Sequence, residues 1–311
     1  MNGENGDRFI KDGFWRYNRF YSSQQPLKYV FPIDAEELDR LDLFHKFFQI
    51  ARGGEHYTYA LNTLGRKPKI LDLGTGTGIW SISVAEDVPE PGVEVMAVDI
   101  NKIQPRLIPV GMKTIQYDIE EPTWDPLYQD CDLVHMRMLY GSIQTDLWAD
   151  MYRKAFAHLA PGSGYVEHVE IDWRPNWDDT DMPHNSALKE WTDLFITGME
   201  KFDRSVKVEP DETRYRMEQA GFVNFRQEVI KVYYNPWSRD RLERDTGRWF
   251  NLGFCLGLEA MSFMPLTEKL NIDPENVKKL CDKVKEEVCT LRWHPYCKLY
   301  VWTAKKPAPK A

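Results

Sequence analysis

Nowhere does this 311-residue chain hold the roughly 18 consecutive apolar residues that a membrane-spanning helix needs, so no such helix is expected. Basic charge is scarce as well: 40 Lys and Arg stand against 48 Asp and Glu, a net charge of −8. A general grip on nucleic acid needs a clustered basic face that releases counterions, so direct DNA or RNA binding is not expected. Cysteine is sparse, with five residues and no C-x-x-C pair. That odd, scattered set argues against a disulfide framework or a zinc site and reads as reduced core thiols of an intracellular protein. The chain has no internal repeat or low-complexity tract, and its polar, acidic opening, Met1 to Asp7, predicts no secretory signal. One glycine is also missing. A dinucleotide turn wants G-x-G-x-x-G, and here Ile79 fills the third slot.

What stands at that place instead is Ile70-Leu71-Asp72-Leu73-Gly74-Thr75-Gly76-Thr77-Gly78-Ile79-Trp80. A short apolar strand passes through three alternating glycines into a helix. The glycines let the backbone turn sharply and let a ligand lie on the main chain, facing the unpaired N–H groups of the helix start. Asp72, two residues before Gly74, suits a cationic ligand with a free amino group. The pattern points to S-adenosylmethionine (SAM) as cofactor, held at Asp72, Gly74, Thr75, Gly76 and Gly78.

Three further strand ends extend the site. Val95 to Val98 ends in Asp99, 21 residues past Gly78, where a carboxylate meets ribose hydroxyls, with Ile100 beside it. Thr114 to Ile119 places Asp118 to accept from the adenine amino group and Ile119 to pack on the ring. Cys131 to Arg137 reads as a fourth strand facing the transferred methyl, so Met136 joins the cofactor set and His135 is the general-base candidate. Arg137 is the second catalytic candidate, free to orient a carboxylate or carbonyl, or else to hold Asp132 or Glu167. No metal site is expected; the acidic loop from Asp178 to Asp181 reads as solvated.

With 42% apolar residues the chain supports one large α/β domain with an elaborate cap, or two small ones. Residues 1–26 read as an N-terminal extension, disordered over 1–13, then an aromatic strip from Phe14 to Tyr21 carrying Arg16 and Arg19. That strip is read as packing, as a partner contact, or as a small RNA-binding patch. A helical cap spans 27–66, with a capping box at Asp34 and Glu37 and an apolar face of Leu38, Leu41, Phe44, Phe47 and Phe48. His45 sits beside that face and joins the expected cofactor set. The core, 67–234, alternates strand and helix as a parallel sheet does. Its fifth strand, Tyr165 to Ile171, is unusually polar at Glu167, His168 and Glu170. An aromatic insertion, 235–293, is expected to cover the carboxyl ends of the strands, and 294–311 holds the last strand and a basic tail. Tyr29, Trp15 and Trp173 are candidate aromatic walls for a cationic ligand.

With these residues in view, the chain resembles the fungal LaeA family of SAM-dependent methyltransferases. The likeness rests on Tyr29-x-Phe31-Pro32-x-Asp34 with Asp39 to Lys46, on Gly78-Ile79-Trp80, on Ala157-His158-Leu159-x-Pro161-Gly162 and on Val166 to Asp172. Asn235-Pro236-Trp237 and Arg248-Trp249-x-Asn251-Leu252 carry it into the insertion, so it spans roughly residues 27–306. The resemblance implies an α/β, doubly wound, Rossmann-like methyltransferase sheet of seven strands. It also implies velvet-domain protein partners, location in the nucleus as well as the cytoplasm, and control of secondary metabolism and development. The loop from Met138 to Ser142 matches the family only in part. Three roles therefore stay open: a regulatory methyltransferase, a biosynthetic O- or N-methyltransferase with a small-molecule acceptor, and a SAM-binding scaffold with little turnover.

Overall fold

The computed structural model describes residues 12–23, 28–61, 65–88, 92–178 and 181–309. The expected disorder over 1–13 falls mostly outside them. Two strands, β1 (Gly13–Arg16) and β2 (Arg19–Ser22), form an antiparallel hairpin from the aromatic strip. It packs onto the domain. Arg19 pairs with Asp34 at 2.7 Å, Arg16 with Glu268 at 2.5 Å, and Tyr17 stacks on Phe263 at 4.9 Å. Both arginines are therefore engaged within the chain, and Trp15 points outward, 71% exposed, and lines neither of the two cavities described below.

Helix α1 (Ala35–Ala51) follows. Asp34 caps it by accepting from the Glu37 amide at 3.0 Å, an interaction of about 1 kcal/mol. The reciprocal half of the expected capping box is absent. The Glu37 carboxylate instead takes the buried Arg40 guanidinium at 2.6 and 2.8 Å, an ion pair that a solvated capping glutamate would forgo.

A seven-stranded sheet then forms from β3 (Lys69–Leu73), β4 (Glu94–Asp99), β5 (Met112–Gln116), β6 (Leu133–Arg137), β7 (Tyr165–Trp177), β8 (Val223–Tyr233) and β9 (Pro295–Lys305). Its order is β5-β4-β3-β6-β7-β9-β8, parallel throughout except for β9, which runs antiparallel between β7 and β8. The order reverses at β3, from which the chain goes out to β5 and returns to β6 on the other side. The crevice at the carboxyl ends beside such a switch point is where open α/β sheets bind ligands. Strand β7 runs past the expected Ile171 because β9 gives it a partner as far as Trp177, across an irregularity at Asp172 to Asn176. Strand β5 stops early. It pairs only with β4, whose last residue Asp99 faces Gln116, so Asp118 and Ile119 lie in the turn beyond.

Helices cover both faces. The helix α2 (Ile79–Asp87) packs over β3 and β4, while α3 (Trp148–His158) and α5 (Pro210–Gln219) lie with a second apolar cluster. The helices α4 (Ala187–Glu200), α6 (Arg241–Ser262) and α7 (Pro274–Cys289) join α1 in the largest cluster. The insertion therefore backs the cap: α6 lies against α1 and reaches the cavity described below only through Met261. Glycine allows that close approach. Alanine in a helix interior ordinarily gains roughly 0.5–1 kcal/mol over glycine. At Gly253, however, an added Cβ would stand 2.6 Å from the Phe44 ring of α1. Gly253→Ala is thus expected to lower stability by about 1–3 kcal/mol in urea unfolding. A gain would show that α1 and α6 are not in contact there.

Candidate cofactor and acceptor site

The turn after β3 takes left-handed backbone at Gly74 (φ 67°), Gly76 (φ 59°) and Gly78 (φ 81°). Its amides stitch it to β4: Thr75 N donates to the Val98 carbonyl at 2.9 Å, and Gly76 N donates to Asp99 Oδ2 at 2.8 Å. Asn101 N donates to Asp99 Oδ1 at 2.8 Å. The Ile100 amide faces the carboxylate as well, so of its about four acceptor positions at least one remains. Burial raises the Asp99 carboxyl to about 6.

Two adjoining cavities open above this turn, at the carboxyl ends of the strands where open α/β sheets bind ligands. They share Tyr29, Leu41, Gly74, Gly76, Arg137, Met138 and Ser142. The first runs from Asp72, Thr75 and His135 into an aromatic chamber of Phe44, Phe48, Trp173 and Phe195. The second is lined by Asp99, Ile100, Asp118 and Ile119. Asp118 pairs there with Lys28, which also lies 3.7 Å from Glu120.

Asp72 is almost fully buried, and its carboxylate accepts from Thr75 Oγ1 at 2.6 Å, Ser81 Oγ at 2.7 Å and His135 Nδ1 at 2.8 Å. Burial opposes its charge, yet these bonds hold its carboxyl below the usual range. His135 is held uncharged by burial despite Asp72 and stacks on Trp80 at 3.6 Å. Its Nε2 has no partner and less than 1 Å² of exposure. His135 therefore supports Asp72 through Nδ1 while it forms part of the wall of the first cavity.

Three expected cofactor residues lie outside both cavities. Met136 alternates with His135 and Arg137 along β6, so its side chain turns to the opposite face and packs among the α3 cluster. Gly78 is the N-cap of α2, and its left-handed backbone shapes the turn without lining the space. His45 projects from α1 between Ser83 and Arg137, against a smaller void.

Other wall residues went unassigned. Leu41, Phe44 and Phe48 carry the helical spacing that marks a buried face, but spacing does not tell a core from a cavity. Glu170, fully buried, accepts from the Leu139 amide at 2.6 Å and the Tyr140 amide at 2.9 Å, fixing the loop that brings Met138, Tyr140 and Ser142 to the first cavity. The polar run of β7 was its signal. Asp132 and Glu167, offered as partners for Arg137, belong to Arg66 and Arg52 instead, each at 2.6 Å.

The methyltransferase-domain family matches residues 43–227. Over 307 residues the chain is 54% identical to the secondary metabolism regulator laeA of Fusarium oxysporum, covering 99% of this chain and 96% of that protein. Against the regulator laeA of Aspergillus flavus it is 34% identical over 300 residues, covering 96% and 79%. Among solved structures, a SAM-dependent methyltransferase from Archaeoglobus fulgidus aligns with a TM-score of 0.42 at 14% identity, over 88% of this chain and 95% of that one. By kinship along almost its whole length, and with the glycine turn and reversed sheet order in place, the chain belongs to the LaeA family of methyltransferases.

Proposed function

We propose that the protein binds SAM across the two joined cavities and transfers its methyl group to an acceptor held in the aromatic chamber, as a regulator of fungal secondary metabolism and development. The observation that carries the cofactor reading is the turn itself, its glycine backbone bonded to a half-buried Asp99 that keeps acceptor capacity toward the second cavity. Asp99 takes the ribose hydroxyls, Asp118 and Ile119 the adenine, and Asp72 the amino group. When bound, SAM supplies an electrophilic methyl on a sulfonium. The chain's own task is alignment and exclusion of water, which contributes on the order of 7–11 kcal/mol in well-oriented reactions. Phe44, Phe48, Trp173 and Phe195 supply the dry walls.

Calorimetry should detect SAM binding and none of NAD, since Ile79 occupies the fingerprint's third glycine. Absence of SAM binding would end the reading. The affinity should also follow Asp99. Above about pH 7 its carboxylate is ionised and accepts; as pH falls through about 6 it gains a proton and loses an acceptor site, so affinity should fall. The sign for stability is opposite. With the folded pKa raised from 3.8 to about 6, the folded state holds the proton more tightly, and this group's cost to folding grows as pH rises through that window.

The relatives' shared name supports the regulatory role. That the role is exerted in the nucleus with velvet-domain partners, from a chain that also resides in the cytoplasm, is part of the proposal and rests on the family resemblance. An acidic protein reaches genes through such a partner rather than by its own grip on DNA. The aromatic lining of the first cavity favours a second reading, a small planar acceptor and a biosynthetic role. Labelled SAM incubated with the protein and a cell extract separates them: label in the protein fraction supports a protein acceptor, label in the small-molecule fraction the biosynthetic one. Co-purification with velvet proteins and no label in either fraction would leave a scaffold.

A further inference from the structure

Arg137 ends β6 where the two cavities meet and forms part of the wall of both. A cation withdrawn from water costs several kcal/mol unless a carboxylate answers it. Among the described residues no carboxylate lies within ion-pair distance of this guanidinium. Asp132 and Glu167 are taken by Arg66 and Arg52. Asp72 faces the same cavity and its charge favours that of Arg137 without an ion pair between them; Thr75, Ser81 and His135 take three of its about four acceptor positions, which leaves room for one donor from a ligand.

What holds Arg137 is neutral. Its guanidinium lies 4.6 Å over the Phe48 ring, and both terminal nitrogens donate to His45 Nδ1 at 3.4 Å. Burial, with Arg137 adding to it, pushes His45 down to about 3, so the imidazole stays uncharged and its Nε2–H donates to Ser83 Oγ at 3.2 Å. Ring face and imidazole together orient the guanidinium without cancelling its charge. Burial lowers the pKa of Arg137 to about 10, which still leaves it charged at neutral pH.

We infer that Arg137 is the carboxylate anchor of the cavity, pairing with a carboxylate that a ligand carries in. Asp72 and Arg137 then stand as opposite charges on one cavity wall, a match for an amino-acid zwitterion with its ammonium on Asp72 and its carboxylate on Arg137. The favoured source is the methionine end of SAM, and to that extent the inference rests on the cofactor reading. An acidic acceptor is the other source of the same chemistry. A planar guanidinium suits either, since it meets a carboxylate with two parallel bonds.

The test is calorimetry on the full chain with S-adenosylhomocysteine and with 5′-methylthioadenosine, which lacks the amino-acid end. Arg137→Gln is expected to weaken S-adenosylhomocysteine at least about tenfold and to leave methylthioadenosine unchanged. The unchanged ligand reports an intact fold, and Arg137→Lys should recover part of the loss. A second arm titrates benzoate into each protein, free and saturated with S-adenosylhomocysteine. Benzoate binding that is lost in Arg137→Gln while S-adenosylhomocysteine binds as before keeps the anchor and assigns it to the acceptor. Unchanged behaviour toward both ligands overturns the anchor. Failure of the wild type to bind S-adenosylhomocysteine is a separate result: it overturns the cofactor reading, and benzoate alone then decides the anchor.

Discussion

Replacing Glu167 by alanine should lower the unfolding free energy by roughly 3–5 kcal/mol, the effect of removing one partner from a buried ion pair. The carboxylate is fully buried on β7 and takes Arg52 at 2.6 and 3.1 Å, the Thr58 amide at 2.7 Å and the Thr58 hydroxyl at 2.6 Å. Burial alone would raise its pKa, but Arg52 holds the carboxyl below the usual range. Arg52 follows the last residue of α1, so this one acid ties the cap and its following turn to the sheet. Alanine would strand the guanidinium and an amide together. Urea unfolding of the two proteins measures the difference, and a loss below about 1 kcal/mol would mean that water reaches Arg52 freely.

Gly74→Val should be the most damaging single change in the glycine turn. Its φ of 67° is left-handed, where a residue with a Cβ pays roughly 1–2 kcal/mol and a branched one more. The added Cβ would also stand 2.3 Å from Leu139 Cδ2. Leu139 meets it with the far end of its side chain, so the left-handed backbone is the larger cost and the displaced Leu139 adds to it. The valine side chain also intrudes on the cavity that Gly74 lines, and SAM affinity is expected to fall by more than tenfold, beyond about 1.4 kcal/mol. Gly76→Ala is the milder comparison. Its Cβ would meet only Leu41 at 3.6 Å, ordinary contact, leaving backbone strain at a φ of 59° as the main cost. Calorimetry that ranks Gly76→Ala as the worse variant would contradict the packing described around Gly74.

The sequence by itself determined the parts of this protein that are local in the chain. Alternating glycines after an apolar strand dictate a left-handed turn, apolar runs carrying an acid at or near their end dictate strand ends just past Asp72 and at Asp99, and Asp34 dictates where α1 starts. Each follows from a few neighbouring residues and their backbone preferences. The order of the sheet beyond its parallel core, and the family, were legible through the resemblance. Which side chains face the cavity was decided only by tertiary structure. Met136 and Arg137 are adjacent, yet the pleat of β6 sends one into the core and the other to the ligand. Phe44, Phe48 and Phe195 look like core in sequence and join Trp173, an expected wall, in the chamber, because a cavity exists only where α1, α4 and β7 fail to close on one another. The charges show the same limit most plainly. Nothing in the chain order says that Glu167 belongs to Arg52, 115 residues away, and Asp132 to Arg66, 66 residues away. Ion pairs depend on distance in space, and folding alone sets that distance; it matched those two acids to other cations and left Arg137 facing the cavity.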